Sequence, residues 1–292
     1  MKNENFKQQW LKGDIKIYVE KVRVEGNGVI LLTGPSSCGK GEIAKSLRRF
    51  LSLPEERHLS MGEILRRTVV KTRSDNSFKE NLANKYQISY KSSIFDNTVN
   101  GAEVIGKAKE YEKEVMSYFN KGGEDISQLD WLEFCVQRGL LVPDLWTEGI
   151  IESVFESSPE LKSGIFILDG YPRTVAAAKF LLNTLSKNNI PIIKVLHLSI
   201  TKEQMKIRAQ GRARKDDTED SLERRYQFYV DKVQPCVDYL KCSLGVPNVV
   251  LIDAHQPVFD GEGNLDLDAS IREVTLTVMQ ALGLPGFLLD LE

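Results

Sequence analysis

Residues Gly34-Pro35-Ser36-Ser37-Cys38-Gly39-Lys40 keep the spacing G-x-x-x-x-G-K, between the apolar run 28–33 and a helical pattern over Glu42–Leu51. Small residues let successive backbone N–H groups close around phosphate oxygens. The positive end of the following helix adds to that field, and Lys40 is placed to reach the outer phosphates. A Gly/Ser turn that merely joined a strand to a helix would not need the lysine. The residue after it is Gly41, not the Ser or Thr that would touch Mg²⁺, so a metal ion must be held by other groups.

The run 28–33 is apolar throughout, which suits a parallel strand covered on both faces, and 164–168, 193–198 and 249–252 read the same way. Helical patterns near 173–187, 201–209, 218–242 and 268–282 alternate with them. Strands alternating with helices predict an α/β fold, a three-layer doubly wound parallel sheet with ligands at the carboxyl ends of its strands. The stretch 67–138 breaks this rhythm with Ser/Asn-rich segments, a charged helical pattern near Ala102–Phe119 and another over Asp130–Arg138. It reads as an inserted helical subdomain. The resulting division is an N-terminal appendage over 1–27 with one strand near Ile15–Val24, a core of 28–60, 139–207 and 218–292, an insert over 61–138 and a short lid over 208–217.

With 27% charged and 41% hydrophobic residues, the chain can bury a substantial core. A formal charge of −2 offers no bulk attraction for nucleic acid or an anionic membrane. Its apolar runs fall well short of the ~20 residues that cross a bilayer. Cys38, Cys135, Cys236 and Cys242 are scattered, without the pairing of a zinc knuckle or a disulfide framework. A soluble, cytoplasmic monomer without zinc is the expectation.

Further motifs follow in order: His58-Leu59-Ser60-Met61-Gly62-Glu63-Ile64-Leu65-Arg66, Gly139-Leu140-Leu141-Val142-Pro143-Asp144, Leu168-Asp169-Gly170-Tyr171-Pro172-Arg173-Thr174, then Arg208, Arg214-Lys215-Asp216-Asp217 and Arg225. Together with Lys40-Gly41 this set resembles the adenylate kinase family, P-loop kinases that move a phosphoryl group from ATP to a nucleoside monophosphate. Asp169, ending an apolar run at the sheet edge, suits a carboxylate that holds Mg²⁺ through water. Phosphoryl transfer needs cations set against charge on the moving group, and the planar fork of Arg pairs two phosphate oxygens at once.

The resemblance implies an ATP site of Gly34, Ser36, Ser37, Cys38, Gly39, Lys40, Gly41, Glu42, Arg208 and Arg214. It implies a monophosphate site of Ser60, Met61, Arg66, Val142, Gly170, Arg173 and Arg225. Lys40, Arg173, Arg208, Arg214 and Arg225 would carry the chemistry, with Asp216 and Asp217 positioning the lid arginines. Three positions depart from the family. Glu42 replaces a Thr beside the phosphate turn. Ala177 replaces the Gln that reads the acceptor adenine, and Gln204 an Arg that packs on the donor base. AMP is the leading acceptor, UMP, CMP or another monophosphate the alternative, and a nucleotide-binding module with little turnover that recruits a partner the alternative of another class. The long stretch between Arg66 and Val142 could reshape the acceptor pocket, dock a partner, or do neither.

Overall fold

The computed structural model describes residues 7–10, 16–19, 26–122, 125–212 and 218–284. Strands β1 (Lys7–Trp10) and β2 (Lys16–Val19) pair antiparallel with each other alone, so the appendage holds a two-stranded ribbon and not one strand. From there the chain folds into two compact units. Met61–Ser158 forms one, and the residues before and after it form the other.

In the unit that carries the phosphate turn, β3 (Gly28–Thr33) leads to α1 (Lys40–Phe50) and β4 (His58–Ser60). The other unit follows with α2 (Met61–Ser74), α3 (Asn76–Tyr86), α4 (Ala102–Glu110), α5 (Glu112–Phe119), α6 (Gln128–Arg138) and α7 (Asp144–Ser157). The chain then returns as β5 (Ile165–Asp169), α8 (Val175–Lys187), β6 (Ile192–Ser199), α9 (Lys202–Arg212), α10 (Glu219–Phe228), α11 (Gln234–Leu244) and β7 (Val249–Asp253). A small hairpin, β8 (Val258–Phe259) and β9 (Leu265–Asp266), precedes α12 (Leu267–Ala281).

Five strands lie in the order β4-β5-β3-β6-β7, every neighbouring pair parallel. The fold is the expected α/β doubly wound sheet. Every residue of β3 and β5 is buried, because each strand has partners on both edges and helices on the faces. Helix α1 buries Ile43, Ala44, Leu47 and Phe50, one stripe at helical spacing, in a core shared with Leu32, Ile167, Leu196 and Leu198. Each fully buried aliphatic side chain contributes about 1.5–3 kcal/mol. The chain leaves β3 for β4 and β5 on one side and resumes with β6 and β7 on the other. Strand order therefore reverses at β3, the place where such sheets bind ligands.

The helical pattern over 218–242 is interrupted: a π turn, Tyr229–Val233, joins α10 to α11. Pro235 supplies the reason. It has no N–H to donate and its ring would collide with the carbonyl four residues back. The ladder widens by one residue there, and Gln234 N donates to the Tyr229 carbonyl.

The helical unit has a core of its own, built on Trp131, Leu132, Phe134, Ile88, Ile94 and Ile126. Asp75 ends α2 and starts α3, its side chain accepting from Phe78 N. The charged pattern over 102–119 is two helices, broken at Tyr111. Ser127 and Asp130 form a reciprocal capping box at the start of α6.

Candidate active site

The turn after β3 has the shape its glycines permit. Gly34 has φ +145°, and a Cβ there would lie 2.3 Å from the Leu198 carbonyl of β6, so only glycine lets the loop leave the sheet at this point. Gly39 is left-handed at φ 91° and caps α1. Lys40 Nζ donates to the carbonyls of Gly34 (3.0 Å) and Pro35 (2.7 Å), so the ammonium folds back over its own loop. Cys38 is buried beneath it, and the buried Ser37 Oγ has no hydrogen-bond partner among the described residues.

Glu42 faces solvent and pairs with Lys45 at 2.9 Å. Arg208 approaches the same loop from α9: a Cβ at Gly39 would lie 3.9 Å from its Nη1, and its Nη2 donates to Ala254 O at 2.6 Å. Burial lowers the Arg208 pKa, while Cys38 and the Asp253 carboxylate oppose that shift.

Across the sheet edge, Asp169 lies in register with Leu32 of β3 and Ser60 of β4. Its Oδ1 is buried and lacks a hydrogen-bond partner among the described residues, as does His58 Nε2, which stands 3.9 Å from Asp169 Oδ2. Gly170, at φ +76°, donates its N–H to Leu32 O and accepts from Arg173 Nε at 2.8 Å. Arg173 keeps solvent access along its side chain. Desolvation by the surrounding protein still lowers its pKa, with the Asp169 carboxylate opposing and the Arg225 cation reinforcing, so the three charges share one locus. Arg225 is half-buried on α10.

In the helical unit, Met61 and Val142 are buried while Arg66 is exposed. Arg66 donates from Nη2 and Nε to Glu63 Oε2 at 3.0 and 3.2 Å, and Arg67 donates to Glu63 Oε1 at 3.0 Å. The bond from Arg66 holds the Glu63 carboxyl below its usual range, with burial opposing and Arg67 assisting. The sequence motif contained Glu63 without indicating that it orders two arginines. Arg214, Asp216 and Asp217, with the lid residues around them, lie outside the described residues, as does the tail beyond Leu284.

Two of the departures have structural occupations. Gln204 and Thr201 cap α9 reciprocally: Thr201 N donates to Gln204 Oε1 at 2.8 Å and Gln204 N to Thr201 Oγ1 at 3.2 Å. Ala177 is buried in the first turn of α8, its N–H donating to the Thr174 cap. No group of three or more His, Cys, Asp or Glu among the described residues could jointly hold a metal ion. No helix there is long and apolar enough to cross a membrane.

A glycine-rich phosphate cradle at the strand-order reversal, with a carboxylate and arginines at the same edge, defines a P-loop phosphotransferase. A family model described as adenylate kinase matches residues 127–244. The adenylate kinase of Mycolicibacterium vanbaalenii is 28% identical over 76% of this chain and 90% of its own length. That of Mycobacterium sp. (strain MCS) is 27% identical over 87% and 98%, and that of Thermosipho melanesiensis 26% over 84% and 96%. Over most of its length the chain is similar to adenylate kinases.

Proposed function

We propose that this protein transfers the terminal phosphoryl group of ATP to a nucleoside monophosphate, with AMP as acceptor. The observation that carries the reading is the register of the sheet edge: the turn after β3 and the carboxylate Asp169 occupy adjacent strand ends at the point of order reversal. The backbone of Gly34–Gly41 takes the donor phosphates. The Lys40 ammonium, held at the loop by two neutral carbonyls, exchanges them for phosphate oxygens and gains charge-assisted bonds. Arg208 and Arg214 serve the donor, Arg66 and Arg173 the monophosphate, and Arg225 the group in transfer.

An unpartnered buried Asp169 oxygen is the feature a magnesium ion requires of this edge, in direct contact or through water. Bound with ATP, Mg²⁺ would neutralise charge on the phosphates. The acceptor is a phosphate that is already ionised, so no general base is needed. The residues act by positioning and by charge. We assign the reaction to a monomer, and to a reducing, cytoplasmic setting that is supported by four cysteines outside any disulfide, three of them buried.

Ala177 favours a second acceptor. Without a side-chain amide, up to two hydrogen bonds to the base are missing, each contributing about 0.5–1.5 kcal/mol. A coupled assay across AMP, CMP, UMP, GMP and dTMP, with Lys40→Met as control, tests both readings. AMP should be turned over, with preference over the other monophosphates weakened roughly ten- to a hundredfold relative to an enzyme with the amide. Lys40→Met should lower kcat by about a hundredfold or more with unchanged melting. Near wild-type turnover in that variant would refute the site, and strict selection of UMP or CMP would replace AMP as the acceptor.

A further inference from the structure

His197 and Tyr229 form a buried polar pair that the phosphoryl-transfer reading leaves without a task. His197 is 4% and Tyr229 5% exposed. His197 Nε2 and the Tyr229 hydroxyl are hydrogen-bonded at 2.9 Å, and the two rings lie nearly parallel, 5° apart in plane, with centroids separated by 5.8 Å. Two apolar side chains would fill the same space without the cost of taking polar atoms out of water.

The pair joins two elements that the proposed chemistry must hold in register. His197 stands on β6 opposite Thr33, the last residue of β3 before the phosphate turn. Tyr229 opens the π turn, and its backbone N–H donates to the Arg225 carbonyl. A continuous path therefore runs from the root of the phosphate turn, across one ladder, through His197 and Tyr229, to the backbone of Arg225. Nothing in the fold requires the link to be polar. What a hydrogen bond adds over packing is direction: it fixes the rotation of α10 about its own axis at the widened turn, where the backbone ladder is least regular. Burial, then the cations Lys241 and Lys40, push the His197 pKa down to about 4, with Asp238 opposing, so the ring is neutral and bonds as a dipole.

We propose that His197 and Tyr229 are positioning residues for Arg225, setting where its guanidinium meets the phosphoryl group in flight. The inference rests on the phosphoryl-transfer reading above. The full-length protein, Tyr229→Phe, His197→Leu and His197→Gln should be compared for kcat and for KM of ATP and AMP, well below their melting midpoints. Tyr229→Phe and His197→Leu should lower kcat roughly ten- to a hundredfold with both KM values within about twofold of wild type. His197→Gln, whose amide can meet the hydroxyl, should recover most of the loss. In an Arg225→Lys background, Tyr229→Phe should cost less than about twofold more, because two changes acting through one group do not add.

A Tyr229→Phe enzyme with wild-type kcat would overturn the proposal whatever its melting temperature. So would a His197→Gln enzyme as impaired as His197→Leu, or a full additional loss in the Arg225→Lys background. Should Tyr229→Phe fail to fold, the contrast between the two His197 variants decides alone. A wild-type protein without turnover removes the phosphoryl-transfer reading and this one with it, whereas an active wild type with indifferent variants removes only this one.

Discussion

At Glu42 two demands meet on one helix end. A carboxylate in the first turn of α1 is favoured by the helix dipole, yet that same positive end is wanted for phosphate. The structure turns the side chain outward to Lys45, an exposed pair that partly neutralises it and withdraws it from the loop. We therefore expect Glu42→Thr to leave kcat/KM for ATP unchanged or to raise it. A folded but inactive Glu42→Thr protein would instead make Glu42 a required metal ligand. The phosphate turn itself was legible because its meaning lies in spacing, and Lys40 is where the motif puts it. Gln204 was legible only as something missing. Its amide caps α9 through Thr201, a local bond that the family pattern does not announce. His197 and Tyr229 gave no signal, since a lone His in an apolar run and a Tyr in a charged helix are individually unremarkable.

The strands that the sequence revealed are its apolar runs, whether buried throughout like β3 and β5 or, like the edge strand β7 with Leu251 exposed, covered only in part. β3, β5, β6 and β7 are continuous apolar runs, whereas β4 is three residues long and carried no readable period. Helices α2 and α3 were hidden in the polar stretch for a definable reason. The buried face of α2 includes Thr68 and Thr72 beside Met61 and Val69, so its apolar stripe is faint. The segment between α3 and α4, Ser/Asn-rich in sequence, is a loop tied down by a partly buried polar network. Ser89 N donates to Gln128 Oε1 at 2.9 Å, Gln128 Nε2 donates to Asn100 Oδ1 at 2.7 Å, and Asn100 Nδ2 reaches Ser93 O at 2.9 Å. Gln128 is 3% exposed, so Gln128→Ala leaves the part-buried Ser89 N–H and the buried Asn100 Oδ1 without their partners at once. The expected loss is about 2–4 kcal/mol in the helical unit, read by urea unfolding followed through the fluorescence of Trp131. A loss below about 0.5 kcal/mol would mean that water replaces the amide without cost.

For the molecule as a whole, each unit carries a hydrophobic cluster of its own: Leu32, Leu47, Leu196 and Leu198 lie in the sheet-bearing one, Leu82, Trp131, Leu132 and Ile150 in the helical one. The stability of the sheet-bearing unit should carry the imprint of one side chain. His197 has its pKa pushed down to about 4 from an ordinary 6.5, chiefly by burial. The folded unit therefore refuses a proton that the unfolded chain accepts. Above the unfolded value both states are neutral and nothing is lost. Between pH 6.5 and 4 the unfolded state binds more protons, so stability falls as pH falls, by at most about 1.4 kcal/mol per unit and about 3 kcal/mol across the window. Glu63, Asp96 and Asp260, whose pKa values are lowered, add losses of their own in more acid solution, but these are common to any His197 variant and cancel in a difference. Urea unfolding of the nucleotide-free wild type and His197→Gln, from pH 7 to about pH 4.5, isolates the term. The wild type should lose about 2–3 kcal/mol more than the variant over that range. Parallel curves would show that the imidazole takes up its proton in the folded state, through water or a shift of the π turn, and that the sheet does not hold it neutral.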